Sequence, residues 1–426
     1  MKIFAATYVL PISTDPIENG AVAINDGTIA AVGPIAEIRA DFPDAEFEDL
    51  GEAAILPGLV NCHSHLEISA LRGALDDVEH DFRSWLIKLK DLRAEQSDND
   101  IYQAALAGAL EGAAAGVTCF ADIGRFAGTA FAALKDTGLR GIVYQETEFS
   151  PDQRMADRDF LAAATKFEQL QASETDLVRI GISPHSPYTV SSRLFELIAQ
   201  YSIQNRVPIT IHAAESASEV ELLKHGNGFF TEIYEKFGFE WNSPHCTPIH
   251  YLERLGVLAA RPLLAHCVLV DESDVQKIAS YGASIAHCPK SNAKFGHGFA
   301  PLETFMQAGI HVGLGSDSVA SNNICDLFEE ARVAAFGARN RVGAERFISA
   351  REVLELATIG GARALGLSDV IGTLERGKAA DMAIVSLTAR RQQPVNDIHA
   401  ALVFSSSAAD VIATIVAGKE VYRKRG

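Results

Sequence analysis

The chain contains no apolar run approaching the roughly 18 residues that span a bilayer as a helix. It has no Cys-x-x-Cys pair either. Its six cysteines, Cys62, Cys119, Cys246, Cys267, Cys288 and Cys325, are scattered through a chain long enough not to need a disulfide framework. That usage reads as a reducing, cytoplasmic setting. Basic residues are scarce: 37 Lys and Arg stand against 55 Asp and Glu, for a formal charge of −18. So acidic a surface repels phosphate backbones and anionic lipid, which argues against nucleic acid and membrane as partners. The opening, Met1 to Asp15, carries one Lys and a short apolar run but no small-residue cleavage site. It continues into strand-like sequence and reads as a strand, not a secretory signal.

What is present is a chain of 426 residues, 48% hydrophobic, enough for a large core. Both ends look like short strands. Ala21–Ile24 and Thr28–Val32 flank Asn25-Asp26-Gly27, a hairpin signal. Asp381–Val385 and Val411–Val416 are rich in β-branched residues, and Ala417-Gly418-Lys419 turns the chain before Val421-Tyr422. Neither end is stable alone, so the two are expected to pair. Between them, short buried-strand runs alternate with Ala- and Leu-rich helical stretches. The runs are Ile55–Val60, Val117–Ala121, Gly141–Tyr144, Val178–Ser183, Pro208–Ile211, Leu263–Ala265, Ala283–Ala286 and Val312–Leu314. This α/β alternation predicts a (β/α)8 TIM-like barrel over residues 55–369, which a unit of about 250 residues or more can form. Residues 1–54 and 370–426 are expected to form a small, discontinuous β-sandwich domain.

A barrel gathers the C-terminal ends of its strands around one mouth. After the first run comes Asn61-Cys62-His63-Ser64-His65, after the fifth His212-Ala213-Ala214-Glu215, after the sixth His266, and after the eighth Ser316-Asp317. His63 and His65 are two apart, so on a strand they share a side. With His212 and Asp317 they make a three-nitrogen, one-oxygen set with room for water. That set suits one divalent ion, Zn²⁺ first and Fe²⁺ second. A lone His-x-His carries little information; four such positions, each at a strand end, carry much more.

The sequence Pro57-Gly58-Leu59-Val60-Asn61-Cys62-His63-Ser64-His65 resembles the opening of the amidohydrolase superfamily. His212-x-x-Glu215, Ala265-His266-Cys267 and Gly315-Ser316-Asp317-Ser318 are similar to its later motifs. Cys288-Pro289-x-Ser291-Asn292, Ala300-Pro301, Ser321-Asn322-Asn323 and the segment Gly372 to Asp381 resemble its cytosine-deaminase and triazine-hydrolase branch. Binuclear members carry a carboxylated Lys at the end of the fourth strand, where this chain reads Ser183-Pro184-His185, so one metal is expected.

The resemblance implies a hydrolytic deaminase. Glu215 would protonate a ring nitrogen and pass a proton to the leaving amine, Asp317 would accept the proton of the attacking water, and His266 would orient that water. His185 resembles a substrate-contacting His of nucleoside deaminases. Trp85 would stack on the ligand ring or pack a lid, and Glu67 would touch substrate or brace the strand end. The substrates implied are adenosine-type: methylthioadenosine, S-adenosylhomocysteine, or the menaquinone precursor aminodeoxyfutalosine. Methylthioadenosine deaminases carry Pro-x-Glu after a Trp-Leu pair, whereas this chain runs from Trp85-Leu86 to Glu95 without it. The segments His65-Leu66-Glu67-Ile68-Ser69 and Phe82-x-x-Trp85-Leu86 look more like aminodeoxyfutalosine deaminases, whose substrate carries a benzoate. Arg72 and Arg154 are the cations expected to meet that anion. Guanine or cytosine deamination, a triazine-type chloro- or aminohydrolase, a cyclic amidase, a metal-storage module and a non-catalytic barrel scaffold are the alternatives. A homodimer or larger assembly is the expected state.

Overall fold

The computed structural model describes residues 1–343 and 346–425. The chain begins with the strand Lys2–Val9 and the expected hairpin, Ile17–Asn25 against Thr28–Pro34, with Asn25 opposite Thr28. At its tip Asp26 and Gly27 have φ of 47° and 80°. A tight hairpin turn requires positive φ at both central residues, and Asp and Gly tolerate it.

Both termini contribute to one eight-stranded sheet. Its order is Lys419–Arg423, Val411–Val416, Met382–Ser386, Ala53–Pro57, Lys2–Val9, Ile17–Asn25 and Thr28–Pro34, with Glu46–Asp49 beside Lys2–Val9. Hydrogen bonding therefore makes it one continuous sheet, where two packed sheets were expected. The alternation of side chains divides its faces. Phe4, Val22, Ile29, Ile55, Met382 and Ile384 share one cluster. On the other face Ala54, Leu56, Ala383 and Val385 join the main core, while Ile3, Ala5, Ala21 and Ala23 pack on Ile38 of the helix Ile35–Asp41.

One boundary differs from the sequence reading. Ile55 and Leu56 lie in Ala53–Pro57, which pairs with Met382–Ser386, and the first central strand starts at Leu59. The switch falls at Pro57-Gly58. The Gly58 amide donates to the Asp381 carbonyl at 2.9 Å, and the next amide, of Leu59, donates to Gly116 at 2.9 Å. Only a residue without Cβ fits there, because a side chain at Gly58 would collide with Thr118.

The end of the first apolar run and the other seven runs lead into eight parallel strands in two four-stranded sheets. The first holds Leu59–Ser64, Val117–Gly124, Arg140–Glu146 and Val178–Ser183 in that order; the second holds Thr210–Ala213, Leu263–His266, Ser284–His287 and Val312–Leu314. Single parallel bridges join them at both seams, Ile182 to Ile209 and Ser64 to Asp317. These strands are buried almost throughout, which is why they read as continuous apolar runs. Side-chain caps start the intervening helices: Ser97 for Asp98–Ala114, Ser191 for Ser192–Asn205 and Asp271 for Glu272–Tyr281. All six cysteines are buried and unpaired. Among the described residues, no helix is long and apolar enough to cross a membrane.

The terminal sheet is fastened to the first parallel sheet by a buried ion pair. Arg140 Nε and Nη2 donate to Asp381 Oδ2 and Oδ1 at 2.8 and 3.2 Å, and the Ala417 amide donates to Oδ1 at 2.7 Å. Removing one partner of such a pair leaves a buried charge without compensation. Arg140→Ala is therefore expected to lower stability by about 3–5 kcal/mol, read as a fall in the urea midpoint. A change below about 1 kcal/mol would mean that the pair does not fasten the two units.

Candidate active site

The strand ends do converge. The Asp317 amide donates to the His63 carbonyl at 2.9 Å, which zips the first and eighth parallel strands together. The His212 amide does the same to His185 at 2.8 Å. As several strands end, the backbone enters the left-handed region at non-glycine residues: Ala214 (φ 53°), His266 (72°), Cys267 (46°) and Asp317 (58°). Such conformations cost about 1–3 kcal/mol each and concentrate at functional sites.

His63 Nε2 and His65 Nε2 both lie 3.5 Å from Asp317 Oδ1. His65 Nε2 lies 3.3 Å from His212 Nε2. The ligand atoms of His63, His65 and His212 are within 4.8 Å of one another, as are those of His63, His266 and Asp317.

Hydrogen bonding fixes two tautomers. His65 Nδ1 meets the Ile123 carbonyl and His212 Nδ1 the His185 carbonyl, each at 3.0 Å. A carbonyl only accepts, so both Nδ1 atoms carry the proton and both Nε2 atoms present lone pairs. Two lone pairs facing at 3.3 Å repel unless a cation lies between them. His63 is fully buried, and neither ring nitrogen has a hydrogen-bond partner. Burial depresses His63, His65, His212 and His266, favouring the neutral form that binds metal. Burial opposes ionisation of Asp317, but the surrounding His63, His65 and His266 outweigh it and hold the carboxyl well below its ordinary range. Ser291 Oγ and Ser321 Oγ donate to Asp317 Oδ2 at 2.6 and 2.9 Å, and the Ser318 amide to Oδ1 at 2.7 Å. These residues fit a divalent metal: His63, His65, His212 and Asp317 turn lone pairs toward one another in a buried space, an arrangement that a cation stabilises.

Glu215 opens into the same cavity. It is buried, with Oε1 3.7 Å from His266 Nε2 and Oε2 3.5 Å from the Tyr188 hydroxyl. Burial raises its carboxyl above the ordinary range. His266 is oriented from behind, its Nδ1 donating to Asn292 Oδ1 at 2.9 Å. The turn that carries Glu215 is braced by Glu219, which accepts the Ala214 and Glu215 amides at 3.0 and 2.9 Å. The wall also includes Phe82, Trp85, Phe295, His185 and Tyr188. Trp85 packs edge-on against Phe295 at 5.0 Å, and its buried indole nitrogen has no partner. His185 lies beside His212, ring centroids 4.7 Å apart, with Nδ1 near the Ser186 and Thr189 hydroxyls at 2.9 and 2.8 Å. Burial holds the His185 imidazole down at about 3.

The helix Phe82–Ala94 covers the mouth and is tied to the helix Phe229–Phe237 by an Arg83–Glu232 pair and by Arg83 over the Phe229 ring. The space enclosed is about 70 Å³, well below the roughly 300–1,000 Å³ of ligand pockets. A roomier cleft of about 420 Å³ lies between Asp271 and Arg341, but it lacks convergent metal-ligand or acid–base groups.

Three residues expected to meet the ligand lie elsewhere. Arg72 is half exposed and paired with Glu111. Arg154 is 70% exposed and held by its neighbour Asp152 at 2.9 Å. Neither lines the cavity, because each is neutralised locally on the outer surface. Glu67 is buried outside the cavity lining; it pairs with Arg93 and accepts the Arg125 and Phe126 amides at 3.3 and 2.9 Å. It braces the strand end, the second of its two expected roles. Arg93 is the arginine that lines the cavity, and Glu146 stands on the same wall; sequence reasoning missed both. Glu146 closes the third parallel strand, two residues past the apolar run Gly141–Tyr144.

Eight parallel strands in two sheets, a cluster of metal-competent histidines with an aspartate, and a buried acid beside them are the features of a hydrolase that uses a divalent metal. Known proteins share this architecture and its sequence. Residues 54–421 match the amidohydrolase family, and residues 20–45 match the imidazolonepropionase-like composite domain of bacteria. The chain is 31% identical over 407 residues to the 5-methylthioadenosine/S-adenosylhomocysteine deaminase of Syntrophobacter fumaroxidans, covering 95% of this chain and 89% of that protein. It is 30% identical over 420 residues to the 5'-deoxyadenosine deaminase of Methanosarcina acetivorans, covering 98% and 91%. An adenosine deaminase structure from Xanthomonas campestris, with bound zinc, is similar at a TM-score of 0.84 and 30% identity, covering 98% and 92%. The chain belongs to the amidohydrolase family, whose reaction here is hydrolysis of a carbon–nitrogen bond.

Proposed function

We propose that this protein is a single-metal hydrolytic deaminase of an adenosine-type purine nucleoside, built on a (β/α)8 barrel whose two halves are the two parallel sheets. The observation that carries the reading is the juxtaposition in one cavity of a cation-demanding His cluster and the buried Glu215. His63, His65, His212 and Asp317 would hold the ion, zinc in the first instance. A divalent ion held there lowers the pKa of water toward about 7, making hydroxide available near neutrality.

The protein's own groups supply the rest. Glu215 gives a proton to the ring nitrogen as charge develops there, then takes the proton of the added hydroxyl as the carbonyl forms and hands it to the departing amine. Asp317, a carboxylate at the outset, takes one proton of the attacking water and releases it once the amine has left, restoring the proton of Glu215. His266, fixed by Asn292, orients that water on the side facing Glu215. Phe82, Trp85 and Phe295 offer aromatic faces for the heterocycle, and His185 offers a neutral imidazole to its edge. Overall, the ring C–NH₂ bond is replaced by C=O, water is consumed and ammonia leaves.

The finer reading is aminodeoxyfutalosine. The segments around Glu67 and Trp85 favour it. The second reading, methylthioadenosine or S-adenosylhomocysteine, is favoured by the name of the Syntrophobacter relative. Ammonia release from the purified zinc-loaded protein with aminodeoxyfutalosine, methylthioadenosine, S-adenosylhomocysteine, adenosine, guanine and cytosine separates these. We expect the highest kcat/KM with aminodeoxyfutalosine. A higher value with methylthioadenosine overturns the finer reading, and release only from guanine or cytosine overturns the nucleoside reading.

A further inference from the structure

Glu146 has no part in the deamination steps, yet it is a buried carboxylate on the cavity wall. It ends the third parallel strand. His185 follows the fourth strand and His212 lies on the fifth, so both stand between Glu146 and Glu215, which follows the fifth. The two carboxylates thus line one cavity from different strand ends, Glu146 from the third and Glu215 just past the fifth. Arg125 Nε donates to Glu146 Oε1 at 3.1 Å; among the described residues this is the one hydrogen bond made by the Glu146 side chain. Arg125 is shared with Glu148 at 3.7 Å, and Arg93 is committed to Glu67. A carboxylate has about four acceptor positions, and burying it with most of them unused is costly. The remaining positions are open to a ligand that brings donors.

A purine nucleoside places its donors unevenly. The reacting amine goes to the Glu215 side. At the other end of the molecule, the remaining donors are the vicinal hydroxyls of the sugar. Two carboxylate oxygens are spaced to accept two adjacent hydroxyls. We infer that Glu146 is a specificity-determining residue that accepts hydrogen bonds from the vicinal sugar hydroxyls of a ribonucleoside. This inference rests on the nucleoside-deaminase reading and deepens it. Its electrostatic setting is consistent: burial alone would raise the Glu146 carboxyl, but His185, Arg125 and Arg93 outweigh burial and hold it at about 2, so it acts only as an acceptor at neutral pH.

The test compares adenosine with 2',3'-dideoxyadenosine, as substrates or as competitive inhibitors of the best substrate, using zinc-loaded protein. Wild type is expected to prefer adenosine by at least about tenfold, as for hydrogen bonds to a charged group. Glu146→Gln, checked for wild-type zinc content and melting temperature, is expected to lower kcat/KM or affinity for adenosine by about 10- to 100-fold. It should change the value for the dideoxy compound by less than about threefold. An equal loss for both nucleosides makes Glu146 a structural partner of Arg125 and overturns the inference, and so does no loss for either. If the variant does not fold, a wild-type ratio near one overturns it without any variant. Failure of the nucleoside reading is a separate result: wild type then neither turns over nor binds either compound.

Discussion

Glu215→Gln is expected to retain the zinc content of wild type and to lose about 100- to 10,000-fold in kcat. Gln preserves the shape of the side chain and its contacts with Tyr188 and the His266 edge, but has no proton to give and none to accept. The buried setting supports the role before any assay: Glu215 lies 3.7 Å from His266, and burial raises its affinity for a proton. Glu219 pins the Glu215 and Ala214 amides independently of the Glu215 side chain, so the loop geometry should survive the substitution. The loss should therefore fall on kcat more than on KM. Near-normal turnover in Glu215→Gln would remove the proton shuttle and leave only a binding role for the residue.

The second large effect is on the metal. His63→Ala is expected to lower zinc affinity by well over the roughly 10–100-fold that loss of an outer partner costs. Turnover should fall with zinc content. The reason lies in what His63 lacks: fully buried, it has no hydrogen-bond partner at either ring nitrogen, a state that costs stability unless a ligand is bound. Full zinc and full activity in His63→Ala would mean that the cluster serves the fold alone. Zinc measured by mass spectrometry on gently purified protein, with a thermal melt as the folding control, decides between these.

Much of the site was readable in sequence because its information is local. Each of His63, His65, His212, His266 and Asp317 stands at or just past the end of a short apolar run, and parallel strands bring the ends of such runs to one side. What the runs could not give was pairing. Arg72 and Arg154 are ordinary cations in sequence, and only folding shows that Glu111 and Asp152 neutralise them. Arg93 lies on a mostly solvent-facing helix and reaches the cavity wall through its bond to Glu67, a partner 26 residues away. The sheet switch at Pro57-Gly58 was blurred for a related reason. Ala53–Pro57 and Leu59–Ser64 are both wholly buried, so one uninterrupted apolar run hides two strands of different sheets.

The most direct test of the central claim is anomalous scattering at the zinc edge from crystals of the zinc-loaded protein. One peak per chain is expected, about 2.0–2.2 Å from the ring nitrogens of His63, His65 and His212 and from an Asp317 oxygen. A second peak beside it, or no peak among those four side chains, would contradict a single-metal site held by these residues.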